Sequence, residues 1–419
     1  MERRVIVSAS LAHATTHGLE LTFAALLLRI GLEFGADLAV MGLIVNVGTF
    51  TFGATALPSG YLTDRYGPRA VMAVGTAAAA GFALLVALSP TLPVLAVTLS
   101  LLGAALGLYH PAGTSMVATV QRRRGLAFAV HGIAGNLGVA LAPAIGTVIA
   151  IVFGWREAYL VYAAFAAVVS LTVWRIAPTR AESEAVTVAG ETAPVAVAES
   201  GLPRTAPPAE RRWTTRPLIF VFIVSIGMGF IYRGALTFLV AHLQENIGFT
   251  IFGWTPEAIA GAMATIVLLA AVPGQIMGGV LSDRIPVERA ALPIMAVNPL
   301  MLALMASTSG LALILVSIGF VVTNFSQQPI LNGLIADYAP DRAAGRAFGV
   351  SFFMTFGLGS FAGTIAGAVA ENSGTGPMFT MLAVVAVGLL AAMLVVAADA
   401  ERRRREIIAA RTESAAAGS

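Results

Sequence analysis

The chain alternates long apolar stretches with short polar breaks, and the length of those stretches is the first informative quantity. A helix rises about 1.5 Å per residue, so roughly 20 apolar residues cross the hydrocarbon of a bilayer. Stretches of that size fall near residues 8–31, 38–62, 70–89, 92–117, 126–153 and 157–176, and again near 217–243, 256–281, 290–308, 310–336, 345–370 and 376–398. The pattern predicts an all-α integral membrane protein with twelve transmembrane helices in two six-helix bundles, residues 1–176 and 217–400. Residues 177–216, rich in Ala, Pro, Glu, Thr and Ser, hold no run able to bury itself, which predicts a disordered linker. Residues 401–419 read as a basic tail.

Composition points the same way. Hydrophobic residues make up 58% of the chain and charged residues 11%, where a soluble domain carries about a quarter charged. All 25 basic side chains are arginine. If the spans alternate, nearly all of them fall on one side, with Arg29, Arg156 and Arg233 the exceptions. The positive-inside bias then places the linker and both termini in the cytoplasm, and the protein as a multi-pass component of the cytoplasmic (inner) membrane. The loop arginines suit anionic lipid headgroups, so membrane lipids and not nucleic acid are the expected partners. No cysteine is present, which excludes disulfides and thiolate metal sites.

The two halves repeat one another. Gly60–Arg65 (GYLTDR) follows the second span and Gly279–Arg284 (GVLSDR) the eighth, with the aspartates 219 positions apart. GLAFAV from Gly125 and GRAFGV from Gly345 are offset by 220, and the tripeptide LTF at Leu21 and Leu236 by 215. Three matches in one order at nearly constant offset argue for a duplicated six-helix unit, so the two bundles are expected to be pseudo-symmetric. Transporters are commonly built this way, with substrate bound near the midplane between repeats.

The loop Gly60-Tyr-Leu-Thr-Asp64-Arg65-Tyr-Gly67-Pro-Arg69 matches the signature G-x-L-x-D-R-x-G-x-R, and on it the chain resembles a major facilitator superfamily transporter over all twelve spans. The resemblance implies a gating network of Gly60, Asp64, Arg65, Gly67 and Arg69, in which the Asp64 carboxylate faces a helix N-terminus and the arginines complete the charges. Asp283 and Arg284 form the second copy. Within the superfamily, SLAHATTHGLELTFAALL in the first span, YHPAGTSMVA from Tyr109, HGIAGNLGVALAP from His131 and GWREAY from Gly154 are similar to fosmidomycin-resistance-type efflux proteins. Gly138-x-x-x-Ala142-Pro143-x-x-Gly146 is similar to the antiporter motif of drug:proton exchangers, with Ala142 and Thr147 in place of two of its glycines.

Polar groups inside the spans are the candidate chemistry. His13, His17 and Glu20 stand at i, i+4 and i+7 on one helix face. Charges there cost on the order of 2–4 kcal/mol each against lipid, so the face is expected to line a cavity and to couple protons, with Glu20 as the carrier. Arg233 aligns with Gly18 through the LTF repeat and reads as an anchor for an anionic substrate or a partner for Glu20, with Tyr232 beside it. Asn324, Gln327, Gln328 and Asn332 offer hydrogen bonds from the tenth span, either to a polar substrate or between helices. His110, His131 and Asn136 are weaker candidates for the same cavity. His13 and His17 have the spacing of a metal-binding pair, but HATTH lacks the glutamate of a metalloprotease helix, so no metal and no cofactor are expected. No phosphate-binding G-x-x-x-x-G-K-[ST] occurs, which excludes ATP-driven transport within this chain. The expectation is a monomeric, non-enzymatic secondary transporter of a small organic compound, exporting it against protons; the alternatives are an organic-anion uptake symporter or uniporter, or a sensor that no longer transports.

Overall fold

A computed structural model describes residues 1–36, 38–120, 122–182, 215–249, 253, 256–340, 343–359 and 361–417; most of the expected linker lies outside them. The described chain is helical: α1 Glu2–Phe34, α2 Leu38–Tyr66, α3 Pro68–Ala87, α4 Leu92–Gly107, α5 Tyr109–Val117, α6 Arg124–Val152, α7 Trp155–Ile176, α8 Arg216–Asn246, α9 Pro256–Leu269, α10 Ala271–Arg284, α11 Val287–Ser307, α12 Gly310–Tyr338, α13 Ala344–Phe352, α14 Phe361–Ser373 and α15 Thr375–Ala417. Among the described residues ten stretches are long and apolar enough to cross a membrane by length and composition, and α1 and α2, of 33 and 29 residues, are two further long helices.

Three expected spans are not single helices, and proline and glycine account for the breaks. The fourth divides into α4 and α5 at Leu108, where Pro111 has no N–H for the Gly107 carbonyl. The Ser59 hydroxyl donates to the Leu108 carbonyl at 2.5 Å, keeping the break satisfied inside the membrane. Pro273 similarly separates α9 from α10, and the eleventh span passes from α13 through a π-helical turn, Phe353–Leu358, into α14.

By contacts the chain forms two units: Met1–Gly190 with Arg342–Leu358, and Glu191–Asp341 with Gly359–Ser419. In the first, α1 lies along α6, α3 along α7 and α2 along α4. Its core is Leu19, Phe23, Leu26, Phe52, Leu99 and Tyr159. A Cβ on Gly138 would collide with the Ala14 carbonyl oxygen and stand 3.0 Å from Ala14 Cα, so only glycine lets α1 and α6 cross this closely. The segment α13 and its π turn group with this unit by contacts and pack on α2 and α5.

In the second unit α11 runs along α15 and α10 along α12. The expected basic tail continues α15 without a break. Arg404 turns inward at 4% exposure, donating to Glu288 at 2.8 Å, while Tyr338 donates to the same carboxylate at 2.7 Å. Arg289 and Glu401 pair at 2.6 Å beside them.

Candidate functional site

Four of the five histidines come together inside the first unit. His13 and His17 lie on α1, His110 on α5 and His131 on α6. His13, His110 and His131 are each 2% exposed, and His17 is 13% exposed at its side chain. Gly135 makes the room: a Cβ there would lie 2.6 Å from His13 Nδ1. Phe52, Phe352 and Phe356 surround His110 with ring centroids at 5.2, 4.7 and 5.6 Å, giving the cluster a dry wall.

The partners fix the tautomers. His13 Nδ1 is 2.7 Å from the His131 carbonyl, which only accepts, so Nδ1 carries the hydrogen and Nε2 the lone pair. His17 Nδ1 donates to Glu20 Oε2 at 2.6 Å, and its Nε2 lies 3.1 Å from His13 Nε2. Tyr109 spends its one hydrogen on the Ala9 carbonyl at 2.5 Å, so His131 Nε2 donates to the tyrosine oxygen at 2.7 Å. That leaves His131 Nδ1 as a buried lone pair without a hydrogen-bond partner among the described residues, and His110 Nδ1 is likewise buried without such a partner. His13 and His131 stack with centroids 4.1 Å apart. One ring nitrogen from each of His13, His17 and His110 lies within 4.8 Å of the others, a grouping that HATTH alone does not show. The sequence hides it because HATTH supplies two nitrogens and the third arrives from α5.

The gating residues sit at one end of the same unit. Asp64 closes α2 and accepts from the backbone N–H groups of Gly345 and Arg346 at 2.8 and 3.2 Å, and from Arg346 Nε at 2.7 Å. Gly60 permits this crossing, since its Cβ would lie 2.9 Å from Arg346 Cα. Gly67, at φ 85°, turns the chain from α2 into α3. Arg65 and Arg69 do not join the Asp64 network: Arg65 accompanies Tyr61 and Tyr66, while Arg69 donates to the Trp174 carbonyl on α7. Side chains of adjacent helical residues diverge by about 100°, and the Gly67 turn puts Arg69 on another helix. Sequence reading missed Arg346 as the partner, although the repeat GLAFAV/GRAFGV marks its segment. Pro143's side chain lies outside the described residues.

In the second unit Arg233 stands near the middle of α8, half-buried. Tyr232 beside it meets Phe325 at 6.0 Å, which brings Arg233 to the level of Asn324 on α12. Two of the four amides of α12 have protein partners. Gln328 accepts a hydrogen bond from Gln275 of α10, and Gln327 bonds its own helix at Thr323, 3.4 Å away, beside Met228, Met295 and Met393. Asn324 and Asn332 are buried at 8% and 5% exposure. Asp283 is half-buried and Arg284 exposed at the end of α10. Asn136 on α6 buries its amide nitrogen without a hydrogen-bond partner among the described residues.

Comparison with known proteins supplies the context. The chain is similar to a probable sulfoacetate transporter, SauU, of Cupriavidus necator, 26% identical over 257 residues. The match spans 60% of this chain and 58% of that protein's length. Among solved structures, the human organic anion transporter MFSD10 superposes with a TM-score of 0.73 at 17% identity, over 94% of this chain and 99% of that one. The proton:xylose symporter XylE follows at 0.72 and 14%, over 93% and 94% of the chains. The Escherichia coli fucose:proton symporter FucP gives 0.67 at 14%, over 96% and 99%. These likenesses match the twelve-helix, two-bundle fold, and none of the three structures is an efflux protein by name. A family model for residues 9–364 matches as well, and the chain belongs to the Major Facilitator Superfamily, a superfamily of transporters and not of enzymes.

Proposed function

We propose that the protein takes up a small organic anion by proton symport, with Arg233 holding the anionic group. The observation that carries this reading is a guanidinium near the midpoint of a membrane helix, level with Asn324. A cation there is costly unless its charge is used, and its planar fork matches a carboxylate or sulfonate with two parallel hydrogen bonds. The relative named for sulfoacetate and the solved organic anion transporter favour that substrate class. The solved proton symporters favour uptake over the export expected from sequence. The resemblance to drug efflux proteins has no support among these relatives and is not carried further.

Proteoliposomes loaded at neutral pH and diluted into acidic buffer test it with labelled sulfoacetate and a panel of short carboxylates and sulfonates. Wild type accumulates at least one of these anions, and a proton ionophore abolishes accumulation. Arg233→Gln lowers initial uptake at least about 30-fold, corresponding to the loss of about 2 kcal/mol from a charged hydrogen-bonded pair. Uptake unchanged in Arg233→Gln, or net export in the direction opposite to proton entry, overturns the proposal. Entry that only equilibrates the anion and is indifferent to the ionophore makes the protein a uniporter.

A further inference from the structure

We propose that the His13–His17–His110 cluster is a binding site for one late-transition divalent metal ion of the zinc class. The argument is independent of the anion reading and rests on where hydrogens and lone pairs must lie. The His131 carbonyl and the Glu20 carboxylate take the Nδ1 hydrogens of His13 and His17, which turns both Nε2 lone pairs toward each other across 3.1 Å. Two acceptors do not approach that closely without a cation between them. A shared proton would satisfy only this pair, leaving His110 Nδ1 buried and unsatisfied in a wall of phenylalanines. A metal ion engages the third ring as well.

Geometry and chemistry fit. Zinc–imidazole bonds of about 2.0–2.1 Å at tetrahedral angles set ligand nitrogens about 3.3 Å apart, close to the 3.1 Å between the His13 and His17 Nε2 atoms, and the His110 ring has to close in from within 4.8 Å. Neutral imidazoles suit zinc, cobalt and nickel. Each α1 ligand already has the outer partner that metal-bound histidines use: a carboxylate for His17 and a backbone carbonyl for His13. Glu20 also offsets one unit of the ion's charge. His131, stacked on His13 and tied to Tyr109, is the buttress that orients this ring. The ion would fasten α1 to α5 inside the first unit and leave a fourth coordination position for water.

The test uses the full-length protein in detergent with its purification tag removed, stripped by chelator and titrated with Co²⁺ and then Zn²⁺. Expected are about one ion per chain, the intense visible absorption of tetrahedral nitrogen-ligated Co²⁺, its displacement by Zn²⁺ and a higher melting temperature. His17→Ala and His110→Ala each weaken binding at least about tenfold, and Glu20→Gln by about 10–100-fold. If the histidine variants do not fold, the wild-type stoichiometry and spectrum decide alone. Less than about 0.1 ion per chain, the faint spectrum of octahedral Co²⁺, or unchanged affinity in folded His17→Ala and His110→Ala overturns the site. Anion uptake is measured on the same preparation, so a protein that transports without binding metal refutes this inference and leaves the function proposed above intact.

Discussion

Replacing Asp64 by alanine tests whether the signature aspartate works as a helix cap supplied from another helix. The N-cap of α13, Ala343, has no side chain able to accept a hydrogen bond, so the orphan N–H groups at the start of this helix need an outside acceptor. Asp64 provides it twice, to Gly345 and Arg346, and pairs with the Arg346 side chain as well. Removing a capping acceptor costs about 0.5–2 kcal/mol, with the charge at a helix N-terminus toward the upper end. The Arg346 side chain is 45% exposed, so solvent screening limits the ion pair to at most about 1 kcal/mol. Together these give about 2–3 kcal/mol for docking α13 on α2, or about 30- to 140-fold in the docked-to-undocked ratio. Hydrogen exchange of the peptide spanning Ala344–Phe352 reads that ratio directly. Asp64→Ala loses 30- to 140-fold protection there, about the ratio worked out above, while peptides from α3 and α7 stay protected. Asp64→Asn keeps one acceptor oxygen and loses less, and Arg346→Ala loses less than tenfold. Protection in α13 falling less than about threefold in Asp64→Ala, or falling equally throughout the unit, would refute the capping argument.

Three further outcomes follow from other contacts. Gly60→Val forces backbone apart at the α2–α13 crossing, where even a Cβ would meet Arg346 Cα at 2.9 Å, and lowers detergent-solubilised thermal stability by about 1–3 kcal/mol; an unchanged melting temperature contradicts the crossing. Glu288→Ala strands the buried Arg404 charge and destabilises by about 3–5 kcal/mol, whereas replacing both partners with apolar residues of similar size restores most of the loss in chemical denaturation. The hydrogen bond from Arg4, with those from Thr179, holds the Glu182 carboxyl down to about 2 from its ordinary value near 4.5. A lowered folded-state pKa stabilises above the unfolded value and is lost as pH falls through the folded one. The stability advantage of wild type over Glu182→Gln is therefore constant above about pH 4.5 and vanishes toward pH 2; an advantage that grows on acidification contradicts the pairing.

The apolar run lengths determined the all-helical membrane class, and the nearly constant offset of three matched pairs, GYLTDR and GVLSDR among them, pointed to the repeat, because bilayer thickness and gene duplication both leave marks along the chain. Helical periodicity also put His13, His17 and Glu20 on one face, since neighbours within one helix are set by 3.6 residues per turn. Contacts between helices leave no such mark. His110 and His131 reach His13 from α5 and α6 through the space that Gly135 leaves open, and Arg346 reaches Asp64 across 282 positions of sequence. The amides of α12 show the reverse: one polar stripe in sequence is divided by packing, with Gln328 committed to Gln275 and Gln327 to its own helix. Sequence fixes what each helix can offer, whereas only the packing of helices decides which lone pairs and hydrogens meet, because a buried polar group must find its partner wherever the fold brings one.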